Sequence, residues 1–129
     1  MLGDAGKKLF NTKEGHIRLG SQLVKQADVV LLLNILPHLY SKEVRLANFN
    51  YYEPLTTHDS SLSPATYAIE AARLKMIDKA YDIFKYGINI DLGPAMHTSD
   101  AGIHAGSLAA LPNDCIWFGG LDDTIINYM

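Results

Sequence analysis

Residues Ser63–Leu92 read SPATYAIEAARLKMIDKAYDIFKYGINIDL, and the spacing within them sets the fold class. Ser63 suits an N-cap, and Pro64 suits the first helical position, where its missing N–H is no loss. The alanines that follow recur at helical steps and suit a helix in close contact with its neighbours. In the second half, Ala80, Ile83, Phe84 and Gly87 or Ile88 form another such stripe, with Asp78 placed to cap it. The stretch therefore predicts two successive helices.

The same pattern extends upstream. Leu23, Val24, Ala27, Val30, Leu31 and Asn34 recur at three- and four-residue steps from about Leu19 onward. Leu32, Leu33 and Leu36 fill other faces, which predicts a helix buried on most sides. Val29 and Val30 keep a strand open as an alternative. Pro37 limits the helix at its C-terminal end. Ser41 then caps SKEVRLANFNYY, with Glu43 in the first turn and Pro54 at the end. Downstream, Ser99 or Asp100 is placed to cap a helix from about Ala101 to Leu111. Strand signal is confined to CIWFGG near the C-terminus. Residues 1–16 form an irregular lead-in, residues 17–121 the helical part and residues 122–129 a tail.

Composition bounds the function class. The chain has 129 residues, with 48% hydrophobic and 19% charged, which fits one globular domain. A net charge of −3 and a pI near 5.9 give no basic patch for nucleic acid. One cysteine, Cys115, rules out an internal disulfide and suits a reducing cytoplasm. No apolar run is long enough to span a bilayer, and the N-terminus is not a secretory signal.

Three polar islands interrupt the apolar pattern. Lys25-Gln26 offers donors suited to sugar hydroxyls or an anion, or is simply the exposed edge of a helix. THDSSLSP, Thr57–Pro64, gathers hydroxyls before a helix N-terminus, which suits either phosphate or ordinary capping. HTSDAGIHAGSLAAL, His97–Leu111, places His104 between Gly102 and Gly106. That histidine is either a phosphate donor or base, or a core histidine with a satisfied partner. His97 and His104 are not at i,i+4 spacing and no further ligand completes a set, so no metal site is expected. There is no dinucleotide fingerprint, phosphate-binding loop, nucleophile elbow or zincin motif.

Taken in order, KQADVVLLL, ANFNYYEPLTTHDSSLSPATYAI, KAYDIFKYGINIDL and HTSDAGIHAGSLAAL closely resemble glycoside hydrolase family 65, over roughly Gln22–Leu121. The resemblance is to the second half of that family's catalytic domain. It implies an all-α fold, the later helices of an (α/α)6 barrel. Family members also carry an N-terminal β-sandwich and a small C-terminal β-domain.

The family's reaction is inverting phosphorolysis. Phosphate attacks the anomeric carbon of an α-linked glucosyl disaccharide and releases β-glucose 1-phosphate, while a carboxylic acid protonates the leaving oxygen. The resemblance implies that Lys25 and Gln26 hold the sugar in the donor subsite. It implies that Ser60, Ser61 and His104 contact phosphate, with Gly106 and Ser107 beside them. No cofactor is implied; inorganic phosphate is the co-substrate and the disaccharide the partner. The family's general-acid glutamate lies well upstream of the lysine-glutamine pair and has no counterpart here, so no catalytic residue is assigned.

The expectation is thus a fragment, or one piece of a split enzyme, that is inactive alone. Half of an α-toroid would expose faces that seek a partner. Two alternatives are a hydrolase of the same lineage and a small helical binding module without catalysis. The donor-rich histidine and serines favour phosphate, because a hydrolase would place a carboxylate base there.

Overall fold

The computed structural model describes residues 23–58, 60–92 and 103–105. Four α-helices make up its framework: α1 Asp28–Ile35, α2 Lys42–Tyr52, α3 Ser63–Arg73 and α4 Ile77–Ile88. Short 3₁₀ turns at Pro37–Leu39 and Glu53–Leu55 join them. Among the described residues there is no strand, only an isolated parallel bridge between Val24 and Thr56. The all-α expectation holds.

The central element is α3. Ser63, Pro64, Ala65, Thr66, Tyr67, Ala68, Glu70 and Ala71 are all buried in it. Its small residues let neighbours approach on several sides, and α4, α1 and α2 all pack against it. Val30, Phe49, Tyr67, Ala71, Leu74 and Ala80 form the core, with Phe49 edge-on to Tyr67 at 5.6 Å between ring centres. Two polar ties lock α1 to α3: Asn34 Nδ2 donates to the Thr66 carbonyl at 2.8 Å, and Arg73 Nη1 donates to the Asn34 carbonyl at 2.8 Å.

The helix around Leu31 is shorter and less buried than its spacing predicts. It begins at Asp28 because the backbone of Val24 is committed elsewhere. Val24 N–H donates to the Leu55 carbonyl at 3.1 Å, and its own carbonyl accepts from Thr57 N–H at 2.9 Å. A residue in a bridge cannot also close helical bonds. Only Val30 and Leu33 are buried, while Leu31, Leu32 and Ile35 are exposed.

Helix starts shift by a residue or two. Ser41 caps α2 as expected, its hydroxyl accepting from Val44 N–H at 3.4 Å. The same hydroxyl, followed by Glu43's own backbone N–H, holds the Glu43 carboxyl below its ordinary range. Ser63 is not a cap but the first residue of α3; Leu62 holds the cap position and no side chain fills that role. The turn that bonds Ser63 N–H to the Ser60 carbonyl at 3.0 Å has drawn Ser63 into the helix. Asp78 lies in the first turn of α4, whose cap is Met76.

No helix among the described residues is long and apolar enough to cross a membrane. Most of the helix expected over Ala101–Leu111, its caps Ser99 and Asp100, the strand signal of CIWFGG, Cys115, residues 1–16 and residues 122–129 lie outside the described residues.

Candidate functional site

Lys25 and Gln26 sit in the bend before α1, not within it, which corrects the helical placement their spacing suggested. Both are exposed and line a cavity of about 390 Å³ together with Asp28, Tyr52 and Tyr67. That volume lies in the range of small-molecule sites. The Val24–Thr56 bridge holds the bend in place.

Thr56 also organises the cavity's aromatic wall. It is fully buried, and its hydroxyl donates to the Tyr52 carbonyl at 2.8 Å. Its one hydrogen is thereby spent, so Tyr67 must donate in the 2.7 Å contact between the two hydroxyls. Burial pushes the Tyr67 phenol up to about 12, and the nearby Glu53 charge adds to the rise. Tyr67 therefore presents a fixed, neutral wall.

Ser60 and Ser61 are half-buried in the turn that enters α3. The Ser63 hydroxyl, just inside the helix, is buried and has no hydrogen-bond partner among the described residues. Beside them His58 adopts a left-handed backbone with φ 57°, uncommon for a residue with a side chain. Its ring stands edge-on to Tyr67 at 5.2 Å. His58 also lines a second cavity, of about 360 Å³, with Glu53, Thr57, Asp82 and Tyr86.

His104 is half-buried and held by Asp91. Its backbone N–H donates to Asp91 Oδ2 at 2.9 Å, and its Nδ1 faces Asp91 Oδ1 at 2.6 Å. Ile103 and His104 lie outside helix and Ala105 is helical, so His104 precedes helix instead of lying one turn into it. The carboxylate that takes the His104 N–H explains the shift.

The pairing of α3 with α4 relates these parts. An added Cβ on Gly87, near the end of α4, would meet the Pro64 side chain at 3.3 Å, so the start of α3 touches the end of α4. The serine turn leads into that end of the pair, and the Asp91–His104 pair follows from it. Tyr67, one turn along α3 from Ser63, faces the Lys25-Gln26 cavity. The walls of that cavity do not include Ser60, Ser61 or His104. Gly106 and Ser107 lie outside the described residues.

Reading the sequence missed Asp91 and the left-handed backbone of His58. Asp91 stands at the end of the segment read as a helix, and its partner lies 13 positions away with no local signal between them. The backbone strain at His58 leaves no mark in the residue types around it.

Known proteins place the chain. The family profile described as the glycosyl hydrolase family 65 central catalytic domain matches residues 1–112. The chain is 44% identical over 110 residues to a kojibiose phosphorylase of Halothermothrix orenii, covering 83% of this chain and 14% of that protein. It is 45% identical over 100 residues to a kojibiose phosphorylase of Escherichia coli, covering 78% and 13%. A maltose phosphorylase of Bacillus subtilis is 39% identical over 107 residues, covering 83% and 14%. A solved structure assigned as a kojibiose phosphorylase from the human microbiome superposes with a TM-score of 0.76 at 29% identity, covering 88% of this chain and 17% of that one. The chain thus spans about one seventh of the length of the curated relatives it matches. Helical content, superposition and profile agree, and the chain belongs to glycosyl hydrolase family 65.

Proposed function

We propose that this chain carries the phosphate side and part of the glucose subsite of an inverting α-glucosyl disaccharide phosphorylase. Its relatives are named as phosphorylases of kojibiose, maltose and trehalose. Residues 17–121 are read as the later helices of the (α/α)6 barrel, in a cytoplasmic protein. Lys25 and Gln26 hold glucose, and Ser60, Ser61 and His104 hold phosphate, with Gly106 and Ser107 beside them.

The observation that carries this reading is the cavity at Lys25-Gln26, walled by Tyr52 and Tyr67. Aromatic walls beside a few polar side chains suit a sugar ring. The start of α3 lies one turn away. There no side chain caps the helix, and the positive end of its dipole favours an anion.

Phosphate is its own nucleophile, so this side of the site needs to hold and orient an anion rather than supply a base. The leaving oxygen must be protonated by a carboxylic acid that these 129 residues do not provide in the family's position. General acid catalysis contributes about 10²–10⁴-fold. The chain is therefore expected to bind without turning over.

The test is direct. Purified chain should release no glucose 1-phosphate from kojibiose, maltose or trehalose, yet bind glucose in a manner lost in Lys25→Ala. Release abolished by His104→Ala would overturn the inactive reading. Absence of glucose binding would overturn the subsite.

A further inference from the structure

We propose that Asp91 is the positioning residue for His104: it fixes the ring's orientation and tautomer so that Nε2 is the atom offered to a phosphate oxygen. The proposal rests on the phosphate reading of His104 given above.

Asp91 stands in a hydrogen-bonded turn. Beyond α4 the chain turns through Asn89 N–H to the Tyr86 carbonyl at 3.2 Å, Ile90 N–H to the Gly87 carbonyl at 3.3 Å, and Leu92 N–H to the Asn89 carbonyl at 3.1 Å. Ile90, 1% exposed, anchors this turn in the interior. The carboxylate before Leu92 is therefore placed by the fold.

That carboxylate grips one residue at two points. Oδ2 accepts the His104 backbone N–H and Oδ1 meets Nδ1. The first bond sets where the main chain of His104 sits; the second sets how its ring is turned. An ionised carboxylate only accepts, so Nδ1 must carry a hydrogen. Nε2 is then the ring atom left for a ligand. The Asp91 side chain is 17% exposed and that of His104 33% exposed, so the support is shielded while the ring remains reachable.

This arrangement suits an anion. One hydrogen lies between Nε2 and a phosphate oxygen, whichever partner brings it, and Asp91 balances a ring that carries hydrogen on both nitrogens. A carboxylate bonded to the far nitrogen of a ligand-facing histidine is a general way to fix such a ring. If Asp91 merely tied the main chain of His104, the ring nitrogen would have no reason to be held as well.

Two-bond ¹H–¹⁵N correlation spectra of the full chain report the His104 tautomer. The wild type is expected to show the Nδ1–H form, and Asp91→Ala to shift it toward the Nε2–H form. Inorganic phosphate should move the wild-type Nε2 signal saturably. Its affinity should fall about tenfold in Asp91→Ala, the loss of one charge-assisted bond. His104→Ala should fall similarly, and the double variant no further than His104→Ala alone.

An Nε2–H tautomer in the wild type overturns the proposal, and this measurement stands even if Asp91→Ala does not fold. So does an Asp91→Ala variant with unchanged tautomer and phosphate affinity. A wild type with the Nδ1–H tautomer but no phosphate response supports the positioning of the ring and overturns the phosphate reading instead.

Discussion

Arg45 on α2 grips Glu70 on α3 through two bonds, Nε to Oε1 at 2.9 Å and Nη2 to Oε2 at 2.8 Å, and the Glu70 side chain is fully buried. A carboxylate inside a helix pair is tolerated only when its charge is met in this bidentate way. Removing the cation alone should therefore be severe. Arg45→Met is expected to cost about 3 kcal/mol of stability in a denaturant titration. Arg45→Met with Glu70→Leu should return to within about 1 kcal/mol of wild type, because two apolar side chains leave nothing unpaired. A single variant with unchanged stability would show that the pair is not needed.

Lys75 ends α3 in a left-handed conformation, φ 65°. Met76 N–H donates to the Ala71 carbonyl at 2.9 Å and Lys75 N–H to the Ala72 carbonyl at 3.0 Å. These are the paired bonds of a Schellman turn, whose pivot is ordinarily glycine. The exposed Lys75 side chain forms no hydrogen bond or ion pair among the described residues that would offset its backbone cost. Lys75→Gly is expected to raise stability by about 1 kcal/mol, read as a higher unfolding midpoint. A lower midpoint would contradict the assignment of strain.

Tyr67 predicts an alkaline weakness. Its folded-state value, pushed up to about 12, lies above the ordinary value of 10.0. The folded chain holds that proton more tightly than the unfolded one, so the resulting stability is complete below pH 10. It is lost as the pH rises through the window from 10 to about 12. Tyr67→Phe should cost about 1 kcal/mol at neutral pH through the lost bond to Thr56. It should also lose less stability than wild type between pH 10 and about 12. Equal losses in both proteins would sink the claim.

How far the sequence foretold all this can be read from particular residues. Ser41, Pro54, Pro64 and the Ala80–Ile83 stripe signal their helices locally, and the helices are there. Lys25 and Gln26 misled, because a helical period ran through them while a bridge 32 residues away took the backbone of Val24. Leu31, Leu32 and Ile35 have the composition of a buried helix but not its burial. Ser63 looked like a cap because it is a serine before a proline, yet a turn from Ser60 carried it inside. Asp91 went unread because its role depends on a partner brought close by tertiary structure alone.

The central claim is that the serine turn and His104 serve one anion. Titration of inorganic phosphate into the ¹⁵N-labelled chain, following the Ser61 amide and the His104 ring together, tests it most directly. The account predicts that both signals move along one saturable curve with a single dissociation constant, and that His104→Ala weakens the response at Ser61. Movement of one signal without the other, or two curves with different constants, would contradict it.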